Sequence, residues 1–392
     1  MGRKKNAHRR VAVGEAGLAA LLLAGSALAT QAWVSAGQAN IRLQPSAASP
    51  IIGRLEKGDR VELADGGDAP NGWTLLEPMG AVRTWVLDRG LSSEFPPAEY
   101  VYARVIVPSA AVRAEPDTAA RVVDRQPRGH ILALRGSQAP GAPWLQRPDG
   151  TFLARSDVKP LAGSSFRGVH DPPPDLAFVT TRVQLQPIDS TNGEVSVLER
   201  YTALPVLAVV GKRVRTEQGM VPRSAVRLAR AVQRPSGIGP EARWIDVDTA
   251  EQVLTAYEGD RLVFATLVST GKKGWETPTG HFRVWYKLRH GAMRGHRASY
   301  LVEEVPHSLF FGGDTAIHGV TWHDKFGRAV SHGCINLSPE DAAWLFEWAP
   351  PALPDGWHGI LPGGAGLESL WIVVESSDRK RTVTQVNVHG AG

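Results

Sequence analysis

The 392-residue chain has one cysteine, Cys334. A lone thiol excludes an internal disulfide. Zinc patterns built on paired thiolates are excluded with it. No second long apolar run follows the N-terminal one, so no internal membrane span is expected. Nor does one sign of charge dominate. The net charge is +5, but residues 1–29 hold five basic residues (Arg3, Lys4, Lys5, Arg9, Arg10) and one acid, Glu15, which leaves +5 − 4 = +1 for the rest. So nearly neutral a body lacks the footprint of a nucleic-acid binder. With 43% hydrophobic and 21% charged residues, the chain is not a disordered one. Its length leaves room for several domains.

Residues 1–29 have the layout of an export signal. A basic segment, Met1–Arg10, precedes an apolar run containing Ala19–Ala24, and Ala27-Leu28-Ala29 supplies an A-x-A site before Thr30. The expectation is export to the periplasm or cell envelope, by a cleaved signal peptide or an uncleaved anchor. Lipid anchoring lacks its residues: no lipoprotein cysteine is present, and position 6 is Asn6 rather than Ser or Thr.

The N-terminal half repeats with a period of 71 residues. Ile41-Arg42-Leu43-Gln44-Pro45 matches Val112-Arg113-Ala114-Glu115-Pro116 and Val183-Gln184-Leu185-Gln186-Pro187. Gly58 and Gly129 keep the offset, as do Trp73 and Trp144. Each unit alternates short apolar stretches with Gly, Pro and Asp turns, the pattern of a small β-barrel. A period this long suits tandem domains better than a solenoid. The third copy lacks the tryptophan and a clear turn glycine. Trp73, Trp85 and Trp144 suit the barrel cores. Breaks fall at Pro96-Pro97, Asp171–Pro174 and Pro235–Pro240. Lys212–Arg234 holds seven basic residues against Glu217. It reads as a solvated face, or as a surface for an anionic wall polymer or membrane.

Chemistry concentrates at the far end. Cys334 sits in Ser331-His332-Gly333-Cys334-Ile335-Asn336, and His318-Gly319 lies upstream. A thiol, an imidazole and a glycine-loosened backbone are the parts of a cysteine nucleophile. Trp244–Asp248, Gln252–Tyr257, Leu262–Thr270 and His281–Tyr286 read as strands, with Glu258-Gly259-Asp260 as a hairpin turn. Ser338, Pro339 and Asp341 mark a helix start, and Trp344, Leu345 and Trp348 form its apolar stripe.

The H-x12-S-H-G-C-x-N spacing, with Thr277-Pro278-Thr279-Gly280, resembles the L,D-transpeptidase (YkuD-type) catalytic domain, over about a third of the chain. The repeats resemble bacterial SH3-like (SH3b) domains through the "x-R-x-x-P" opening and the Gly53–Leu63 arm. The expected fold is mainly β: a YkuD-like domain with a few helices over 242–376, preceded by two or three small SH3-like barrels at 39–94, 102–162 and 177–230. The units would target the wall, present substrate, or act as a spacer.

The resemblance implies a cofactor-free cysteine acyltransferase. Cys334 would attack a tetrapeptide stem of peptidoglycan at the L-centre carbonyl of its third residue. D-Ala would leave, and an amine of a second stem would resolve the thioester into a 3-3 crosslink. His318 would be the base, oriented by the Gly319 carbonyl, with His332 a competing base or a pocket residue. The Gly333 and Cys334 amides are candidates for an oxyanion hole. Ser331 and Asn336 would brace the loop or touch substrate. Loops Arg289–Arg297 and Gly312–Thr315 would cover the site. Alternatives are an L,D-carboxypeptidase or amidase of the same fold, and a non-catalytic wall-binding protein. His318, His323, His332 and Cys334 read as a metal cluster have no common zinc spacing.

Overall fold

The computed structural model describes residues 30–64, 70, 72–79, 82–87, 91–92, 100–136, 141–186, 196–295 and 300–378. The expected export signal at 1–29, Pro96-Pro97 and Pro187 lie outside them. The described chain is mainly β, with one α-helix, Pro339–Trp348.

The 71-residue period reappears in the backbone hydrogen bonds. In the first unit, Val34 N–H donates to Asp59 O (2.8 Å) and Gly58 N–H to Val34 O (2.8 Å). In the second, Val105 donates to His130 O (2.9 Å) and Gly129 to Val105 O (2.9 Å). Gly58 and Gly129 have φ of +97° and +91°, which glycine adopts without steric cost. The Arg42 guanidinium donates to Ser49 O, and Arg113 to Ala120 O, again 71 residues on.

The third unit keeps the turn with different residues. Val179 donates to Thr202 O (2.9 Å) and Tyr201 to Val179 O (2.7 Å). Tyr201 stands where the turn glycine would be, at φ +74°. A bulky residue rarely takes that conformation. Here its hydroxyl donates to Asp324 Oδ1 at 2.8 Å and its ring packs on Phe166, 4.4 Å between centroids. A contact to another domain thus replaces the glycine.

The units' first strands, Thr30–Val34, Tyr100–Val105 and Asp175–Val179, precede the sequence motif, which lies on each unit's second strand. Aliphatic side chains fill the cores: Ile41, Val61 and Leu76 in the first unit, Val112, Leu132 and Leu145 in the second. Trp73 and Trp144 are only half-buried. An indole is too large to sit wholly inside so small a core, so each flanks it and leaves more of itself outside than the sequence pattern implies.

The C-terminal domain centres on a six-stranded sheet in the order 169–170, 261–267, 253–258, 243–248, 371–375, 280–283. Its outer strands are antiparallel, while Arg243–Asp248 and Trp371–Glu375 run parallel. Against it lies the helix, burying Ala342, Leu345 and Phe346. Trp344 and Trp348 lie at the edge of this core, half-buried. Ser338 Oγ accepts from Asp341 N–H (3.2 Å), the N-cap that the sequence predicts. The Asp341 carboxylate accepts from Gly168 N–H (2.8 Å) and Thr266 Oγ1 (2.6 Å). At the other end Lys287, fully buried, donates to Ala349 O (2.7 Å) and Pro351 O (2.9 Å).

All three units pack on this domain. Gly53 and Arg54 pair with Ile360 and Gly359, and a Cβ on Gly53 would lie 2.7 Å from the buried Trp357 ring. From the second unit Arg147 pairs with Glu303 (2.7 Å), whose other oxygen accepts from Ala133 N–H (3.1 Å). The third shares an apolar cluster, Phe166, Phe178, Leu267, Val320 and Phe326 among it.

Candidate active site

Two short strands mount the candidate residues. Thr315–Gly319 turns back from Leu301–Gly312 and pairs in parallel with Ile335–Leu337, with His318 opposite Asn336. Paired residues in a ladder share a face, and alternate residues return to it. Continued by one residue, that alternation sets Cys334 on the face of His318 and Asn336. Ala316 lies across from it, and a backbone hydrogen bond from Ala316 acts on the thiol.

His318 is 2% exposed. Its Nδ1 is 3.0 Å from Gly319 O. A carbonyl only accepts, so Nδ1 holds the proton and the Nε2 lone pair is left for chemistry. Burial pushes the imidazole pKa down to about 4, against the favourable Gly319 hydrogen bond. Burial also pushes the Cys334 thiol up, opposed by the Ala316 contact and reinforced by Asp314. At neutral pH the two groups are therefore a neutral thiol and a neutral imidazole. Trp322 stacks on the His318 ring, 5.9 Å between centroids.

The nucleophile loop is braced from below. Ser331 Oγ donates to Cys334 O and accepts from Gly333 N–H (3.1 Å). The Gly333 amide, which the motif offers to an oxyanion, is thus already bonded. Gly333 has φ +120°, a value that requires glycine. Its carbonyl accepts from Thr277 Oγ1 (2.7 Å), which in turn accepts from Gly271 N–H (2.9 Å). The Thr277–Gly280 turn is tied to Cys334's neighbour in this way. Backbone bonds from Lys272 N–H to Ser331 O and from Ser331 N–H to Thr270 O, both 3.0 Å, add to it.

His332 is exposed, unlike His318. Its Nε2 lies 3.0 Å from Lys272 Nζ. Trp275 meets its ring edge-on at 5.1 Å, and Tyr300 stacks on it at 5.5 Å. Partial burial and Lys272 both lower its pKa.

Asn336 is 4% exposed, and its amide lies 2.9 Å from His323 Nε2. Lys325 N–H donates to Nδ1 of the same ring (3.2 Å). Burial drives His323 down to about 4, so the ring is neutral and accepts at one nitrogen only. With Nδ1 accepting, Nε2 carries the proton and faces the Asn336 oxygen. That orientation gives the otherwise unpartnered Oδ1 its donor, and Asn336 then presents its NH2 group instead.

Not every residue singled out in the sequence belongs to the cluster as read. Arg289–Arg294 continues the strand Tyr286–Arg294 rather than forming a loop, because it pairs with Leu301–Gly312 along its length. Residues 296 and 297 lie outside the described residues. The 312–315 segment is a tight turn with Gly313 at φ +62°. Among the described residues no group of three or more His, Cys, Asp and Glu is placed to hold a metal. Lys272, Trp275, Tyr300 and Trp322 join the site without a signal in the motif, since their contacts span up to 60 residues or depend on ring packing.

Residues 242–383 match the YkuD family, the L,D-transpeptidase catalytic domain. A curated relative, the putative L,D-transpeptidase YciB of Bacillus subtilis (strain 168), is 32% identical over 126 residues, 27% of this chain. The match spans 61% of that relative's length. Among solved structures, an L,D-transpeptidase from Mycobacterium smegmatis aligns with 38% of this chain and 66% of its own, at 22% identity and TM-score 0.28. The catalytic domain of the E. faecium L,D-transpeptidase aligns over 34% of this chain and 98% of its own, at 24% identity and TM-score 0.27.

Proposed function

We propose that the chain is a peptidoglycan L,D-transpeptidase working through a Cys334 thioester. The observation that supports it most is His318: a buried imidazole, held by the Gly319 carbonyl with Nε2 unprotonated, on the same strand face as the domain's one thiol. In this reading Sγ attacks the carbonyl of the stem's third residue while its proton passes to His318 Nε2. The tetrahedral intermediate collapses, the bond to D-Ala breaks, and His318 returns the proton to the departing amine. An amine of a second stem then attacks the thioester, its proton goes to His318, and Cys334 leaves as the thiol. The product is a 3-3 crosslink. With the Gly333 amide given to Ser331, the oxyanion donors in this reading are the Cys334 N–H and the Asn336 NH2. His332 is a weaker candidate for the base because Lys272 occupies its Nε2.

The reading extends to the whole chain. Residues 1–29 would export it to the cell envelope, and the three N-terminal units would be SH3-like modules. Their packing on the catalytic domain favours a framing role over that of a distant spacer. Incubation of the protein with a disaccharide-tetrapeptide donor and an acceptor stem, followed by product mass, tests the proposal. Crosslinked dimer is expected. Release of D-Ala with no dimer at any acceptor concentration would instead identify a carboxypeptidase.

A further inference from the structure

Lys272 has no role in the reaction above, yet its backbone is tied to the nucleophile loop. Its backbone N–H bonds to Ser331 O, and Trp275 N–H bonds to Lys272 O (2.8 Å). The loop it starts closes on Gly271, where a Cβ would lie 1.9 Å from Trp275 O. The same loop is pinned to Gly333 through Thr277. The backbone that carries the ammonium is thus fixed relative to the nucleophile loop, and Nζ reaches His332 from it.

Its partner is an unusual one. Nζ lies 3.0 Å from His332 Nε2, and among the described residues no carboxylate pairs with it. Glu276, the acid of this loop, accepts from Gly274 N–H (2.8 Å) instead. An ammonium has three donors, so two remain after the imidazole. Trp275, 49% exposed, and Tyr300 wall the His332 ring on two sides. The acid that acts on Cys334 is Asp314. An anionic substrate group approaching the thiol meets like charge there, which a neighbouring cation offsets.

We propose that Lys272, with His332 and the Trp275 and Tyr300 rings, forms a carboxylate-binding subsite beside Cys334. The ammonium gives a charge-assisted hydrogen bond to the carboxylate of a stem peptide, and the rings flank it. The inference rests on the transpeptidase reading for its substrate class. The carboxylate has two sources on such a stem: the D-Ala terminus, or the side chain of the third residue.

The test does not require turnover. The His332 ring resonances of the full chain are followed by NMR during titration with N-acetyl-D-alanine and with its carboxamide. The acid shifts His332 and the carboxamide does not. Lys272→Met weakens acid binding about tenfold or more, as loss of a hydrogen bond between charged partners implies, and Lys272→Arg retains most of it. An N-acetylated peptide amide whose only carboxylate is on a side chain is the second probe. If it alone shifts His332, the subsite reads the third residue and the proposal stands. The proposal is overturned if neither carboxylate probe shifts His332 more than the carboxamide does, or if Lys272→Met binds the effective carboxylate as the wild type does while Cys334 keeps its alkylation rate. Acid binding without acylation of Cys334 would sink the transpeptidase reading and leave the subsite in place.

Discussion

At the scale of the residue, burial sets the protonation of both reacting groups. A cysteine–imidazole ion pair needs a stabilised thiolate, but here desolvation disfavours charge on Cys334 and on His318 alike. In the proposed reaction His318 would therefore act as a general base during attack, not as a preformed counter-ion. The pH profile follows. His318 is competent only when neutral, so kcat/KM falls as the pH drops through about 4. The thiol titrates above its ordinary value, so no fall occurs on the alkaline side through pH 8. Initial rates of donor consumption across pH 3.5–9 check this. A thiolate limb centred near neutral pH would contradict it. The histidine, the glycine carbonyl and the cysteine were legible in the sequence because they lie within 17 residues in a distinctive motif. Lys272 was not, since nothing local distinguishes it from the neighbouring Lys273. The protonation state was not either, because it depends on burial by residues far along the chain.

At the scale of the element, the helix Pro339–Trp348 illustrates what sequence shows and what it leaves hidden. Its N-cap is a local signal, and Ser338→Ala should cost about 1 kcal/mol. Asp341 looks like an ordinary first-turn acid in the sequence. In the fold it is 3% exposed and accepts from Gly168 and Thr266, 173 and 75 residues away. Asp341→Ala takes the acceptor from the part-buried Gly168 N–H and leaves the buried Thr266 hydroxyl only Leu267 O, at 3.3 Å, and an orphaned buried group costs about 1–3 kcal/mol. Denaturant unfolding should therefore show a larger loss for Asp341→Ala than for Ser338→Ala. The reverse order would mean that the linker contact at Gly168 contributes nothing. Tyr201 is the same lesson in a turn. Its left-handed backbone was invisible in a pattern that seeks glycine, because the group that holds it, Asp324, belongs to another domain.

At the scale of the whole molecule, the repeats form a frame around the catalytic domain. The period was legible from 71-residue offsets; the docking was not, since single side chains such as Glu303 and Trp357 make it, and neither was the opening strand at Thr30–Val34, which precedes the repeated motif. At the first unit's junction Glu304 is driven up to about 7, by burial first and then by Glu56, against the pull of His358. His358 itself lies 3.7 Å from Asp59 and 3.4 Å from Glu56. The sign is definite. A carboxyl with a folded pKa above its unfolded value keeps its stability below about 4.5 and loses it as pH rises to about 7. Glu304→Gln lacks that penalty. Its melting temperature relative to the wild type should therefore climb between pH 4.5 and 7 and level off above. A difference that stays constant over that range would place the Glu304 carboxyl in solvent and undo this account of the junction.

The measurement that tests the central claim most directly is intact-protein mass spectrometry of the chain with a purified disaccharide-tetrapeptide, alongside Cys334→Ala and His318→Gln. The wild type should gain the donor mass less D-Ala on Cys334, His318→Gln should acylate far more slowly, and Cys334→Ala should gain nothing and release no D-Ala. D-Ala release by folded Cys334→Ala, or an adduct that retains D-Ala, would contradict a thioester at this site.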